Sequence, residues 1–250
     1  MTAQQRAPIS VTAAEAVVFD LDGVLTDTAA VHRRAWSAMF TEFLADHAPQ
    51  SAPYTDVDYF TLVDGKSRAD GVRAVLASRG IDLPEGRPDD ADDAVTVHGL
   101  GNRKNTAFGN IVDTEGVHVF PGSRDLVNAL RAARVPMAVV SSSKNARMVL
   151  EHADLLGAFT GIVDGQVTAQ RGLPGKPEPD MFLLAARLLG VEPHRSIAVE
   201  DAISGVQSAS RAGYWVVGVD RGVGAAQLAA EGADDVVTDL AQLLPTGHSA

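Results

Sequence analysis

Cysteine is absent from the 250 residues of this chain. Its absence excludes disulfide bonds, thiolate metal ligands and a cysteine nucleophile. A fold that does not depend on disulfides is typical of the cytosol. The chain also lacks the apolar core of a signal peptide and any run that approaches the ~20 consecutive apolar residues of a membrane span. We therefore expect a cytoplasmic protein with no membrane partner.

Basic residues are in short supply. The chain has 21 Lys and Arg against 32 Asp and Glu, which gives a formal net charge of -11. Nucleic acids and anionic membranes repel such a protein, so we expect neither as a partner. A phosphorylated small molecule stays compatible with this charge if basic residues converge on its phosphate. We expect the protein to act as a monomer.

Short apolar runs, rich in valine and without alternation, recur along the chain and are typical of strands covered on both faces. Helical patterns separate them, and this alternation predicts βαβ units with a parallel sheet. The strand candidates are Ala16–Phe19, Pro136–Val140, Ser196–Val199, Trp215–Val219 and Asp235–Val237. The helix candidates between them are Ser123–Ala133, Asn145–Leu156, Pro179–Leu189 and Ile203–Ala212.

The stretch from residue 28 to 116 interrupts this rhythm with helical patterns alone. We expect helices at Ala29–Asp46, Ser67–Arg79 and Asp90–Gly109, with Asp82–Asp93 as a connecting loop. The sequence thus predicts an α/β core made of residues 1–27 and 117–250, and an all-helical insert made of residues 28–116. Residues 1–12 and 245–250 are predicted to be short frayed tails.

Two carboxylates follow directly on the first predicted strand. Asp20 comes after Phe19, Asp22 follows two residues later, and Gly23 allows a sharp turn. Active sites of parallel sheets lie beyond the carboxyl ends of the strands. A carboxylate there can attack phosphorus, and a second one can move the proton of the reacting oxygen. The simpler alternative is an aspartate in a turn or at a helix N-terminus.

Three further polar groups follow later strands or loops. Ser141 begins a hydroxyl cluster that suits a phosphate oxygen, or else caps a helix. Lys176 lies in Gly-Lys-Pro-Glu-Pro-Asp, where its ammonium group can lie beside charged oxygen atoms. The alternative is a solvated surface lysine. Glu200 and Asp201 end a strand as adjacent acids that suit a hard cation such as Mg²⁺, although Asp201 could also be a helix cap.

Residues 19–28 contain the pattern DxDGxxxD[TS], which begins at Asp20, and resemble the first motif of the haloacid dehalogenase superfamily of phosphotransferases. The other three groups match its later motifs in order. The resemblance implies a Rossmann-like parallel-sheet core with an inserted helical cap domain. It implies that Asp20 is the nucleophile and Asp22 the general acid/base. It also implies a Mg²⁺ ion bound by the Asp20 side chain, the Asp22 carbonyl, Glu200 and Asp201.

The resemblance also implies roles for the later motif residues. Ser141 would hold the transferring phosphoryl group, and Lys176 would neutralise charge on it and on Asp20. Ser143 and Lys144 match residues that bind the non-reacting phosphate in the sugar-phosphate mutase branch. We count the neighbours Ser142 and Asn145 among the substrate-binding candidates.

The insert narrows the resemblance to the β-phosphoglucomutase subfamily. Residues 28–36 resemble its first cap helix, residues 64–70 its substrate loop with the pattern GxSRxD, and residues 103–105 a later sugar-phosphate contact. Arg68 would grip the distal phosphate, or else pair with Asp64 or Asp70 on the surface. His32 could instead be a core histidine. The substrate-binding candidates in the insert are Thr28, His32, Trp36, Gly65, Ser67, Arg68, Lys104 and Asn105.

Three functions remain open at this level. The leading one is interconversion of β-D-glucose 1-phosphate and glucose 6-phosphate through an aspartyl-phosphate and glucose 1,6-bisphosphate. The alternative is hydrolysis of a small sugar or polyol phosphate by the same core residues. The third is a catalytically silent binding module, against which the complete motif set argues. Arg68 and Lys104 favour the mutase, because a second phosphate needs its own cationic site.

Overall fold

A six-stranded, fully parallel sheet forms the centre of the computed structural model, which describes residues 10–244. The strands lie in the order β3-β2-β1-β4-β5-β6, so β2 and β3 lie on one side of β1, and β4, β5 and β6 lie on the other. This order is that of a doubly wound α/β fold, as predicted. The strands are β1 Val17–Phe19, β2 Met137–Val140, β3 Gly161–Val163, β4 Ile197–Glu200, β5 Trp215–Val219 and β6 Asp235–Val237.

Register brings the predicted motifs to one edge of the sheet. Phe19 of β1 is level with Val139 of β2 and with Val199 of β4. The residues that follow these three positions therefore emerge side by side. They include Asp20 and Glu200, which explains why acids 180 residues apart share one crevice.

Alternate residues of the strands feed two apolar clusters on opposite faces of the sheet. Val17 and Phe19 belong to one cluster, and Val18 belongs to the other. All three are fully buried, as the lack of alternation in the sequence predicts. The helices that follow the strands are α5 Pro121–Ala132, α6 Ala146–His152, α7 Gly165–Arg171, α8 Asp180–Leu189, α9 Ile203–Ala212 and α10 Ala225–Ala230.

Residues 28–115 form helices and no strand in the described chain. A third apolar cluster, which includes Trp36, Phe43, Val72 and Leu100, lies within them. Phe108 and other residues nearer the ends of the segment join a sheet cluster instead. The division at residues 28 and 116 remains our prediction. The elements are α1 Thr28–His47, the one-turn helix α2 Asp56–Asp58 with the π-helix Tyr59–Val63, α3 Arg68–Ser78 and α4 Val97–Glu115.

The structure corrects several predicted boundaries. Strand β3 was not expected, because its three residues form too short a run. Helix α4 begins at Val97 rather than at residue 90, because Thr96 caps it by accepting from the Gly99 N–H at 2.9 Å. Val11 is buried in a sheet cluster, so the prediction of a frayed tail is wrong at this position. The rest of that tail prediction, over residues 1–9 and 245–250, lies outside the described residues.

No helix within residues 10–244 is both long enough and apolar enough to cross a membrane.

Candidate active site

A buried lysine joins two carboxylates at the carboxyl edge of the sheet. The Lys176 Nζ lies 2.5 Å from Asp20 Oδ1 and also donates to Glu200 Oε1. It donates a third bond to the Val140 carbonyl at 3.2 Å. Only 1% of the Lys176 side chain is exposed, which rules out a solvated surface lysine. One positive charge therefore holds the carboxylates of β1 and β4 together.

These carboxylates strongly perturb one another. Burial raises the pKa of Asp20 well above its ordinary value, and Glu200 and Asp22 add repulsion that the Lys176 charge only partly offsets. Burial raises the pKa of Asp201 as well, and neighbouring Asp64 and Asp20 raise it further. Although burial opposes it, Asp20 and Glu200 raise the pKa of Lys176, which stays charged. The cluster carries more negative than positive charge, so a cation would stabilise it.

The acids at this edge fit a divalent metal ion. One carboxylate oxygen from each of Asp20, Glu200 and Asp201 lies within 4.8 Å of the other two, and all three residues are buried. Glu200 Oε2 accepts from the backbone N–H groups of Asp201 at 3.1 Å and Ala202 at 3.2 Å, which fixes its orientation. Hard oxygen donors of this kind suit Mg²⁺. The predicted contribution of the Asp22 carbonyl stays a prediction.

Gly23 is required by the same cluster. Its φ is +90°, and a side chain at this position would collide with the Asp201 carboxylate. The turn after β1 can therefore approach β4 only because residue 23 is glycine.

Asp22 is held by hydrogen bonds from two hydroxyls. Thr28 Oγ1 donates to its Oδ1 at 2.5 Å, and Ser141 Oγ donates to its Oδ2 at 3.3 Å. His32 Nε2 lies 3.3 Å from Oδ1. Burial opposes ionisation of Asp22, yet its pKa is lowered to about 2, because His32 and Lys104 interact favourably with the carboxylate and Thr28 donates a hydrogen bond to it. Asp22 is thus a carboxylate at neutral pH, ready to accept a proton.

Lys104 and His32 form a buried pair behind Asp22. The Lys104 ammonium hydrogen-bonds to His32 Nδ1, while the His32 ring stacks on Phe108 at 4.1 Å between centroids. Burial and the nearby Arg68 lower the pKa of Lys104 to about 7. Burial and Lys104 lower the pKa of His32. The Lys104 Nζ therefore lies behind the His32 ring, and the His32 Nε2 is directed at Asp22.

The serine cluster after β2 links the core to the insert. Ser142 Oγ donates to the Gly65 carbonyl at 2.8 Å. Asn145 Nδ2 donates to Asn105 Oδ1 at 2.7 Å. Ser141 Oγ accepts from the Ser143 N–H at 3.1 Å, and none of the serines is the N-cap of α6. These contacts close the insert over the edge of the sheet.

Arg68 begins α3 on the insert side. Its Nη1 donates to Asn102 Oδ1 at 3.0 Å and to the Gly101 carbonyl at 3.4 Å. The alternative of a surface ion pair is wrong, because no carboxylate among residues 10–244 pairs with Arg68, and Asp70 pairs with Arg73 at 2.5 Å. Arg68 is therefore a cation without a counter-charge.

One cavity of about 430 Å³ lies between the insert and the edge of the sheet. It brings together every predicted site residue except Thr28 and Lys176, which lie beneath Asp22 and Asp20. His32 lines this cavity, so it is not simply a core histidine. The predicted residues on the wall are Asp20, Asp22, His32, Trp36, Gly65, Ser67, Arg68, Lys104, Asn105, Ser141, Ser142, Ser143, Lys144, Asn145, Glu200 and Asp201.

Family comparison agrees with this arrangement. A model of the haloacid dehalogenase-like hydrolases matches residues 14–213. The chain belongs to this family. Within the haloacid dehalogenase-like hydrolases, it is 50% identical to a β-phosphoglucomutase of Mycobacterium bovis, over 92% of this chain and 91% of that protein. It is 32% identical to hexitol phosphatase A of Escherichia coli, over 81% of this chain and 82% of that protein.

A crystal structure from the same family has a similar fold. The β-phosphoglucomutase of Clostridium difficile superposes with a TM-score of 0.74 at 27% identity, over 92% of this chain and 93% of that one. Sheet, insert and cleft thus follow a known haloacid dehalogenase arrangement.

Sequence reasoning missed several wall residues of this family member. Tyr59 begins the π-helix, Asp64 follows its end, and both line the cavity. Burial raises the pKa of Asp64 to about 6. Their only sequence signal was the acid at position 64, within the substrate-loop pattern. Asn102 also lines the cavity, and its signal was its place one residue before Arg103 and Lys104.

Proposed function

We propose that the protein is a Mg²⁺-dependent β-phosphoglucomutase, which interconverts β-D-glucose 1-phosphate and glucose 6-phosphate. The observation that carries this proposal is a second cationic site in the same cavity as Asp20. Arg68 and Lys144 line that cavity, and no described carboxylate pairs with either of them. Burial and repulsion by Arg68 lower the pKa of Lys144. An anion between the two would relieve this repulsion, and a second phosphate group is such an anion.

The reaction passes through a phosphorylated aspartate. Phospho-Asp20 gives its phosphoryl group to one hydroxyl of the sugar, and Asp22 takes the proton of that hydroxyl. The product is glucose 1,6-bisphosphate, and the freed Asp20 is again a carboxylate. The bisphosphate then reverses its orientation within the site. Its other phosphoryl group passes to Asp20, and Asp22 returns the proton to the leaving sugar oxygen.

Neighbouring residues support these steps without changing their own bonds. Lys176 keeps its proton and neutralises charge on Asp20. Ser141 holds the transferring phosphoryl group, and Arg68, Ser143 and Lys144 hold the other phosphate in either orientation. Mg²⁺ bound by Asp20, Glu200, Asp201 and the Asp22 carbonyl would offset repulsion between the incoming phosphate and the nucleophile.

The proton carrier is tuned by the insert. Lys104 donates to His32 Nδ1, which leaves the proton of a neutral His32 ring on Nε2, facing Asp22. This positive environment keeps Asp22 ionised until it takes a proton. Because His32 and Lys104 belong to α1 and α4, Asp22 is supported in this way only while the insert lies against the core.

Hydrolysis of a small sugar or polyol phosphate is the second candidate. The similarity to hexitol phosphatase A favours it. The core residues would act in the same way, with water accepting the phosphoryl group from Asp20. The two candidates differ in the need for Arg68, since a monophosphate substrate leaves no second phosphate to bind.

One assay separates the two. The protein is incubated with Mg²⁺, β-glucose 1-phosphate and a trace of glucose 1,6-bisphosphate, and glucose 6-phosphate and inorganic phosphate are followed separately. We expect glucose 6-phosphate, and its formation should depend on the bisphosphate primer. Phosphate release without glucose 6-phosphate would replace the mutase by the phosphatase. If neither glucose 6-phosphate nor inorganic phosphate forms, the protein acts on another substrate or is a silent module.

We further propose that the enzyme works as a cytoplasmic monomer. The supporting observation is that one chain by itself supplies the acids, Lys176, Arg68 and Lys144 of the site. Size-exclusion chromatography with light scattering checks this, and a dimer at assay concentrations would contradict it.

A further inference from the structure

The side chain of Arg68 lies along helix α4, and two residues of that helix shape its path. We propose that Gly101 and Asn102 are positioning residues, which hold the Arg68 guanidinium in place for the non-reacting phosphate. This inference rests on the proposed function, since it concerns the second phosphate site. It is carried by two independent contacts, one to the apolar stem of Arg68 and one to its charged end.

Gly101 makes room for the stem. A Cβ atom at this position would lie 3.1 Å from Arg68 Cδ and 3.3 Å from Arg68 Cγ. Glycine inside a helix is less favourable than alanine by roughly 0.5–1 kcal/mol. The φ of Gly101 is not in the left-handed region, so backbone geometry does not require glycine here. A Cβ atom here would instead crowd the arginine stem, which would have to shift by a few tenths of an ångström.

Asn102 fixes the charged end. Its Nδ2 donates to the Pro88 carbonyl at 3.2 Å and to the Asp90 carbonyl at 2.8 Å. Carbonyls only accept hydrogen bonds, so the amide must turn its oxygen towards Arg68, whose Nη1 lies 3.0 Å away. The orientation of the amide is therefore set by the loop before α4.

A neutral amide has a specific advantage at this position. A carboxylate would also accept from Arg68, but it would form an ion pair and cancel the charge that the phosphate needs. The Asn102 oxygen restrains the guanidinium and leaves its full positive charge for a ligand. Lys104 lies two residues further along the same helix, so α4 carries Lys104 and also restrains Arg68.

A double-mutant cycle tests this assignment. All proteins carry Asp20→Asn, which blocks turnover, and glucose 1,6-bisphosphate binding is measured by calorimetry. We expect Asn102→Ala to raise Kd about tenfold, within the range for a hydrogen bond to a charged group. In the Arg68→Ala background the same change should alter Kd less than about twofold. An equal loss in both backgrounds would overturn the assignment, as would wild-type affinity of Asn102→Ala.

Control variants separate positioning from folding. Asn110→Ala changes an exposed asparagine of the same helix and should leave Kd unchanged. Gly101→Ala keeps Asn102 but crowds the arginine stem, and we expect it to weaken binding only when Arg68 is present. Binding without glucose 6-phosphate formation by the unmutated enzyme would refute the proposed function and leave this inference standing. Absence of bisphosphate binding at Asp20→Asn alone would refute the inference.

Discussion

The cleft has one wall formed by the α/β core and one formed by the helical insert, and the two walls carry opposite net charge. On the core wall, Lys176 is surrounded by carboxylates and contacts both Asp20 and Glu200. On the insert wall, Arg68 and Lys104 have no carboxylate within ion-pair distance among the described residues, and neutral atoms hold them. The core wall therefore has an excess of negative charge and the insert wall an excess of positive charge.

This difference separates two tasks. In the proposed function the core wall would hold the metal ion and the phosphoryl group in transfer, which both candidate reactions need. The insert wall is complementary to an additional anion, which only some substrates carry. Damage to the core wall should abolish all activities, and damage to the insert wall should remove one activity selectively.

Removal of the nucleophile breaks the core wall most completely. We expect Asp20→Asn to reduce both glucose 6-phosphate formation and phosphate release by about 10³-fold or more, because an amide cannot accept a phosphoryl group. Both products are measured in the primed assay. Asp125→Asn on the exposed face of α5 is the matched control. Survival of either activity in Asp20→Asn would mean that another residue is the nucleophile.

Removal of the central cation should damage both stability and catalysis. Lys176→Met leaves Asp20 and Glu200 buried without their partner, and breaking such a pair costs about 3–5 kcal/mol. We expect a lower Tm in the presence of a chelator and a partial recovery with Mg²⁺, measured by thermal unfolding. Arg187→Met, which changes an exposed cation on α8, should have neither effect. Equal Tm losses with and without Mg²⁺ would contradict metal binding beside Lys176.

The insert wall is tested by Arg68→Ala. We expect kcat/KM for the mutase reaction to fall by roughly 10- to 100-fold, the equivalent of one or two charge-assisted hydrogen bonds. Hydrolysis of p-nitrophenyl phosphate, which has no second phosphate, should change less than about threefold by the same reasoning. Arg147→Ala removes an exposed arginine of α6 and serves as control. Equal losses on both substrates would place Arg68 outside the second phosphate site.

We expect Lys104→Met to weaken substrate binding and to raise the free energy of unfolding. The pKa of Lys104 is lowered to about 7, so the folded protein holds this charge against a burial cost. Methionine removes that cost, and we expect a gain of roughly 1 kcal/mol, or about 2–4 °C in Tm. The gain should be largest below pH 7, where folded Lys104 is charged, and should shrink as pH rises towards its ordinary pKa. Thermal unfolding between pH 6 and 9 measures this.

The same variant also tests whether the charge of Lys104 contributes to substrate binding. Lys104 loses its proton as pH rises through about 7, so the KM of the unmutated enzyme for β-glucose 1-phosphate should increase over that interval. In Lys104→Met the KM should be high at every pH, and this rise should be absent. Parallel pH profiles for the two proteins would show that another group controls binding.

The core wall was largely predictable from sequence, because its residues follow strands that are easy to recognise. Asp20 and Glu200 directly follow positions that are level in the register, Phe19 and Val199, and Ser141 lies two residues after Val139, which is level with Phe19 as well. Parallel pairing alone therefore predicts that they meet. Strand β3 and helices α7 and α10 were missed, since elements of three to seven residues are too short for a clear periodic pattern.

The insert wall was predictable only by resemblance, and only in part. Thr28 was expected to bind substrate, but its hydroxyl donates to Asp22, and it does not line the cavity. Its substrate-binding role stays a prediction. The contact of Arg68 with Asn102 joins positions 34 residues apart on different helices. Such pairings depend on how α3 and α4 pack, which no local pattern reports.

The central position of β1 governs when the enzyme can become active during its synthesis. β1 lies between β2 and β4, whose residues are translated more than 115 and 175 positions later. Asp20, the proposed nucleophile, therefore leaves the ribosome before the acids and the lysine that complete its site. These long-range pairings form slowly and late in folding. A chain that ends before β4 therefore contains Asp20 but not the site around it. Phosphoryl transfer thus begins only on chains that have been translated past Asp201.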